Sequence, residues 1–185
     1  LMIGLDGSLD SQAAINAVAA RHWPAGSMAY LVTVLDPRMA TEIAEMIPSL
    51  QRWVPDQSGA IPESEFDWIE RMMKAACEQL REAGLLVTSR LVEGDARHKL
   101  LEIAREKEAD CVFIGAKGLV GGSGLRHLER FMLGSTAGVV AGRASCSVEV
   151  VRSEIARIQT SDLAQMAESK ILQQAAPASA LTVLS

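Results

Sequence analysis

The chain has 185 residues, of which 49% are hydrophobic, and this length suffices for one layered α/β domain but not for two. Its 18 basic and 23 acidic side chains give a net charge of −5, which leaves no cationic surplus to neutralise a nucleic acid backbone. We therefore expect a single main domain and no nucleic acid partner.

The cysteines and the apolar runs indicate the cellular compartment of the protein. The three cysteines form no C-x-x-C pair and have no accompanying histidine cluster, which favours reduced thiols over a disulfide frame or a zinc site. No apolar run reaches the roughly 18 residues of a membrane span, and the N-terminus lacks the order of a signal peptide. These features predict a cytoplasmic protein with no membrane contact.

The first predicted elements form a βαβ unit followed by an irregular segment. The apolar run Leu1–Leu5 predicts a strand, and the turn Asp6-Gly7-Ser8 leads into an alanine-rich helix over Ala13–Ala20. Tyr30–Leu35 is a continuous β-favouring run, typical of a strand covered on both faces. Prolines then interrupt residues 36–62, where Met39–Leu50 allows one short helix.

The later elements continue the alternation of helices and strands. Apolar residues at steps of three and four predict a helix that ends at Gly84, namely Phe66, Ile69, Met73, Ala76 and Leu80. Asp95 is the expected N-cap of the next helix, which runs to about Glu108, and a further helix begins near Gly134-Ser135. Three more strands are predicted over Leu85–Val92, Asp110–Ile114 and Ser147–Val151.

This order predicts a doubly wound, five-stranded parallel sheet with helices on both faces, a Rossmann-like α/β fold. Residues 1–152 make up the predicted domain. Residues 153–185 form a C-terminal extension, for which the apolar spacing predicts an amphipathic helix followed by a flexible tail.

The candidate site follows from this fold. Ligands of open parallel sheets bind at the C-terminal strand ends where the strand order reverses, so the residues after strands one, two and four should form one crevice. Asp6, Val34 and the stretch Gly115–Gly118 occupy these places. Glycines that adopt positive φ present N–H groups to phosphate oxygens, the helix start at Gly134-Ser135 adds further donors, and Lys117 adds charge.

Simpler interpretations stay open from the residues alone. The glycines after strand four also suit a flexible surface loop, and Asp6 also suits a helix N-cap. The histidines, His22, His98 and His127, are best explained as solvated or capping residues. The P-loop, dinucleotide and nucleophile-elbow signatures are all absent from the sequence, so no conventional enzyme class is indicated.

The glycine pattern resembles that of the universal stress protein family, in its UspA-like, ATP-binding branch. The family signature is Gly-x2-Gly, a spacer of nine residues and Gly-Ser or Gly-Thr, and here Gly115, Gly118 and Gly134-Ser135 match it. The resemblance extends over residues 1–152 through four further segments in the same order, namely Asp6–Ser8, Val34–Asp36, Val92–Asp95 and Cys146–Val151.

The resemblance implies the roles of individual residues. Asp6 and the backbone at Val34 would hold the adenosine part of a nucleotide. Ile114, Gly115 and Gly118 would border the ribose and phosphates. The implied phosphate donors are Gly134, Ser135 and Thr136. The implied ligand is ATP, or AMP or ADP, with or without Mg²⁺, and the implied assembly is a homodimer paired through the last strand, Val148–Val151.

The spacer departs from the family pattern, because Leu119–Leu133 amounts to 15 residues. Either the added residues bulge outward and leave Gly118 and Gly134 convergent, or they displace the helix start and weaken phosphate binding. Three functions therefore follow as hypotheses: a nucleotide-binding regulatory protein of the stress response, a slow ATP hydrolase, and an interaction module without nucleotide binding.

Overall fold

The computed structural model describes residues 1–36, 65–118 and 133–153, and every structural statement below concerns these ranges. The strands within them are β1 (Met2–Gly4), β2 (Met28–Leu35), β3 (Leu86–Glu93), β4 (Cys111–Gly115) and β5 (Ser147–Val151). The helices are α1 (Leu9–Ala19), α2 (Glu65–Glu82), α3 (Ala96–Glu106) and α4 (Ser135–Arg143). Leu1–Ser153 is one compact unit of the chain, and the second unit, Glu154–Ser185, lies outside the described residues.

The five strands form one parallel sheet in the order β3-β2-β1-β4-β5. The chain therefore builds one half of the sheet outward from β1 to β3 and then crosses back to place β4 on the other side of β1. This arrangement confirms the predicted doubly wound fold and places the reversal of strand order between β1 and β4.

Two hydrophobic cores cover the two faces of the sheet, because successive side chains of a strand point to opposite faces. Ile3 of β1 and Phe113 of β4 belong to the core that contains α1 and α2. Met2 and Val112, their immediate neighbours, belong to the core that contains α3 and α4. The apolar runs without polar alternation in β1 and β4 are explained by this double burial.

The ends of the elements differ from the predictions by small amounts. β5 has the predicted bounds, whereas β2 begins at Met28 because its ladder with β3 extends to the pair Met28 and Leu86. α3 ends at Glu106 instead of Glu108, since Glu108 has left the helix with a φ of 47°. α1 begins at Leu9, before the alanine-rich stretch.

The structure tests the residues predicted to begin, end and bury the helices. Asp95 is confirmed as the N-cap of α3, where its side chain accepts the Arg97 N–H at 2.9 Å. Gly84 follows the end of α2 with a φ of 86°, as a C-terminal glycine should. Four of the five residues of the predicted α2 stripe are buried, and the side chain of Phe66 lies outside the described set.

Some predictions fall on residues that the structure does not describe. They are the short helix in residues 39–50, the spacer over residues 119–132, His127 and the C-terminal extension after Ser153. Within the described ranges, no helix has the length and apolar character needed to cross a bilayer.

The turn between β1 and α1 requires a glycine at position 7, and this requirement is testable. Gly7 has a φ of 83°, and an added Cβ would lie 2.2 Å from the Trp68 ring. Gly26 has a similar φ of 82° with nothing within 4 Å, so it isolates the backbone cost. We expect Gly7→Ala to lower the free energy of unfolding by about 3 kcal/mol and Gly26→Ala by about 1 kcal/mol, measured by urea denaturation. Equal losses would contradict the steric account.

Candidate functional site

The candidate site lies at the C-terminal ends of β1 and β4, where the strand order reverses. Asp6 follows β1, Gly115 is the last residue of β4, and residues 116–118 come directly after that strand. Val34 lies near the end of β2, the neighbour of β1 on the other side, and is partly buried against the core under α3 and α4. Ile114 is buried in that same core. The topology therefore brings the predicted residues of three strands to one edge of the sheet.

Asp6 organises the turn before α1 without being the cap of that helix. The N-cap is Ser8, whose side chain accepts the Ser11 N–H at 3.1 Å. The Oδ1 atom of Asp6 accepts the Ser8 N–H at 3.0 Å, and its Oδ2 atom faces Gly118. The interpretation of Asp6 as a helix N-cap is therefore wrong, because the helix begins two residues later than that role requires.

The first turn of α1 packs directly on the backbone at the end of β4. A Cβ added to Gly115 would lie 2.6 Å from the Ser11 nitrogen and 2.7 Å from the Asp10 carbonyl carbon. Only a glycine allows this approach. Gly115 and Gly118 are not among the glycines with positive φ, and Gly134 has a φ of −58°. Close approach, and not left-handed backbone as expected, is thus what these glycines provide.

The backbone N–H and carbonyl of Lys117 are both held by the N-cap and the first turn of α1. The Lys117 N–H donates to Oδ2 of Asp10 at 3.1 Å, and the Ser8 hydroxyl donates to the Lys117 carbonyl at 3.1 Å. Asp10 and Ser8 are only 5% and 8% exposed, so these hydrogen bonds are largely shielded from water. The backbone of the loop is therefore fixed at Lys117, whose side chain remains partly exposed.

Gly134 returns to the same loop despite the long spacer. Its N–H donates to the Ala116 carbonyl at 2.8 Å, and a Cβ added to it would lie 3.5 Å from the Lys117 Cα and 3.8 Å from the Gly118 nitrogen. Of the two arrangements considered for the spacer, the described residues thus adopt the one in which Gly118 and Gly134 converge.

The start of α4 places backbone N–H groups beside this junction. Gly134 is its N-cap and makes no side-chain capping hydrogen bond, and the first bond within the helix runs from the Gly138 N–H to the Gly134 carbonyl. Because the first N–H groups of a helix have no partner inside it, those of Ser135 and Thr136 suit an anion. Ser135 is exposed and Thr136 partly exposed.

The titratable side chains Asp95 and Cys111 are affected by their immediate surroundings. The side-chain hydrogen bond from Arg97 holds the pKa of Asp95 well below its usual range. Burial raises the pKa of Cys111, and the three cysteines are free thiols. His98 is exposed on α3, and His22 is exposed after α1. In the ranges described, no group of His, Cys, Asp and Glu side chains is arranged to hold a metal ion.

Asp10 and Ser11 are site residues that the sequence reasoning missed. Ser11 contributes its backbone contact with Gly115 and a hydroxyl that donates to the Ser8 carbonyl at 3.0 Å. Asp10 accepts hydrogen bonds from residues that are 107 and 143 positions away. A local signal existed only for Ser8, since Ser at a helix start indicates a cap.

The fold defines a doubly wound α/β protein whose candidate site lies at its topological switch point. A family model described as the universal stress protein family matches residues 1–152. The chain therefore belongs to the universal stress protein family, as its glycine pattern suggested.

One curated relative is similar to part of this chain. A universal stress protein of Methanocaldococcus jannaschii is 31% identical over 83 residues, or 45% of this chain and 45% of that protein. The matched stretch thus spans less than half the length of this curated relative.

Solved structures share the fold. A hypothetical protein whose biochemical function was assigned from its structure matches with a TM-score of 0.60 at 20% identity, over 82% of this chain and 93% of that one. A universal stress protein in complex with cAMP matches with a TM-score of 0.50 at 22% identity, over 82% of this chain and 94% of that one.

The Ser8 hydroxyl serves both the start of α1 and the loop after β4, which leads to a prediction. Ser8→Ala removes the N-cap and leaves the partly buried Lys117 carbonyl without its donor. We expect a loss of about 2 kcal/mol in the free energy of unfolding, measured by urea denaturation. Ser145→Ala, at an exposed position, is the control and should change it by less than about 0.5 kcal/mol. A Ser8→Ala loss as small as that of the control would contradict the double role.

Proposed function

We propose that this protein binds an adenine nucleotide, ATP in the first instance, and acts as a nucleotide-dependent regulatory protein of the stress response. The observation that carries the proposal is the convergence of Asp6, Gly118 and the uncapped start of α4 at the switch point of the sheet. Membership of the universal stress protein family supports it, as does the cAMP bound to a universal stress protein of the same fold.

The residues fit the two chemically different ends of a nucleotide. For the adenosine end, the Asp6 carboxylate offers an acceptor for base or ribose hydroxyl donors, and Val34 offers apolar surface near the end of β2. For the phosphate end, the backbone of Gly118, Ser135 and Thr136 offers N–H donors, with Ile114 and Gly115 beneath them. The Gly134 N–H, which the family pattern implies as a further donor, instead donates to the Ala116 carbonyl. The side chain of Lys117 adds a positive charge to this end.

The glycines meet the steric requirement of such a ligand. A Cβ added at Gly118 would lie 2.9 Å from Oδ2 of Asp6, so a side chain there would press on the Asp6 carboxylate. The absence of a side chain at Gly118 therefore leaves the Asp6 carboxylate in its position. A metal ion such as Mg²⁺ would then be held chiefly by the phosphates of the nucleotide and by water.

Gly118→Ala tests the proposed site. Because the added Cβ meets the Asp6 carboxylate, we expect the affinity for ATP to fall at least about tenfold, measured by isothermal titration calorimetry with Mg²⁺. Gly142→Ala is the matched control, since Gly142 lies in α4 with nothing within 4 Å and should leave the affinity unchanged. Wild-type protein that binds neither ATP, ADP nor AMP would refute the proposal. Phosphate release above the rate in buffer would indicate the alternative, a slow ATP hydrolase.

We also propose that the protein forms a homodimer through β5 and that it acts in the cytoplasm. β5 is an edge strand of the described sheet. Its hydrogen bonds to the rest of the sheet involve Ser147 and Val151, so the N–H groups of Val148 and Val150 face the open edge. Edge strands present such unpaired groups to a second strand.

Val150→Pro tests the proposed dimer. Proline removes an N–H from the open edge while the bonds of Ser147 and Val151 to the sheet remain. We expect wild-type protein to have twice the monomer mass by light scattering and the Val150→Pro variant to be monomeric. Val150→Thr keeps the N–H and the β-branched shape and should remain dimeric. A wild-type monomer at micromolar concentration would contradict the proposed assembly.

A further inference from the structure

The ladder between β4 and β5 ends in an unusual exchange of partners. Its register pairs Gly115 with Val151, and the Ala116 N–H donates to the Val151 carbonyl at 2.8 Å. In a parallel ladder, the next hydrogen bond would run from the Ser153 N–H to the Ala116 carbonyl. The Ser153 N–H instead donates to Oδ1 of Asp10 at 2.9 Å. The Ala116 carbonyl accepts the Gly134 N–H at 2.8 Å.

Asp10 is the buried residue that makes this exchange. It lies in the first turn of α1, is 5% exposed, and uses one carboxylate oxygen for Ser153 and the other for Lys117. Hydrogen bonds from N–H groups to a carboxylate are stronger than those to a carbonyl, so the carboxylate competes successfully with Ala116 for the Ser153 N–H. The position near the start of a helix also favours its negative charge.

We propose that Asp10 is a positioning residue for the phosphate end of the nucleotide site. By binding the Ser153 N–H, it reserves the Ala116 carbonyl for Gly134 and so places the start of α4 beside Gly118. Through the same carboxylate it fixes Lys117. The proposal rests on the proposed nucleotide site for its effect on affinity, but its structural part concerns hydrogen bonds that exist without any ligand.

Removal of the carboxylate should reverse the exchange. Ser153 is 6% exposed, and a buried N–H that loses its acceptor takes the nearest alternative. The register offers the Ala116 carbonyl, which would then be contested between Ser153 and Gly134. The start of α4 would loosen while the adenosine end, formed by Asp6 and Val34, would stay in place.

The first experiment compares Asp10→Ala with Asp110→Ala, which removes the same charge from an exposed residue. We expect Asp10→Ala to accelerate amide hydrogen exchange at Gly134 by about tenfold and Asp110→Ala to leave it unchanged. We also expect Asp10→Ala to weaken ATP binding by about tenfold and adenosine binding by less than twofold. A general loss of stability would instead weaken both ligands alike. If Asp10→Ala does not fold, Asp10→Asn serves, since its amide keeps the side-chain shape but accepts through one atom only.

The second experiment is a rescue that a merely structural role would not predict. Ser153→Pro removes the competing N–H, so in the Asp10→Ala background it should restore slow exchange at Gly134. Ser153→Ala, which keeps the N–H, should not restore it. Fast exchange at Gly134 in the Asp10→Ala, Ser153→Pro double variant would overturn the proposed competition.

The outcomes separate this proposal from the proposed function. If wild-type protein binds no adenine nucleotide, the nucleotide function fails, and exchange at Gly134 still decides the role of Asp10. If nucleotide binds but Asp10→Ala leaves both Gly134 exchange and the ratio of ATP to adenosine affinity unchanged, the role of Asp10 is refuted while the function stands.

Discussion

The contact between the first turn of α1 and the backbone at the end of β4 is the constraint on which the site depends. The Ser11 nitrogen lies so close to Gly115 that a Cβ there would be 2.6 Å away. At this distance the short side chains of Ser8 and Asp10 reach the backbone carbonyl and N–H of Lys117 directly. A helix held farther from the strand by even one methyl group would leave those buried polar groups unsatisfied, at a cost of about 1 to 3 kcal/mol each.

This contact also explains where glycine is needed and why. The positive φ angles of this part of the fold belong to the turns at Gly7 and Gly94, outside the Gly115–Gly118 stretch. In the stretch itself, glycine removes bulk, so that α1 lies against β4 at Gly115 and the Asp6 carboxylate lies close to Gly118. The backbone N–H groups of the loop are therefore placed by packing and hydrogen bonding, and a mobile glycine chain is not required.

The architecture could be predicted from the sequence because double burial, helix caps and helix-ending glycines each produce a local sequence pattern. β5 and the N-cap Asp95 were predicted correctly, and the strands adjoining the crevice differ by at most two residues at their ends. Asp10 was not predicted, because an acidic residue in a first helical turn is ordinary and its two partners lie 107 and 143 residues away. The positive φ predicted for the glycines after β4 was wrong for the same reason. A close approach between segments that are distant in sequence produces no recognisable pattern in the neighbouring residues.

The long spacer is compatible with the site because Gly134 is anchored by its own backbone. Lengthening a connection from nine to 15 residues raises its closure cost by only about 0.5 kcal/mol, since the entropy grows with the logarithm of length. The hydrogen bond from the Gly134 N–H to the fully buried Ala116 carbonyl contributes about 0.5 to 1.5 kcal/mol, which offsets that cost. The length of the connection and the position of the helix start are thus separable. The position of the helix start depends on which N–H group donates to the Ala116 carbonyl. In this chain, the Asp10 carboxylate determines that choice by binding the Ser153 N–H.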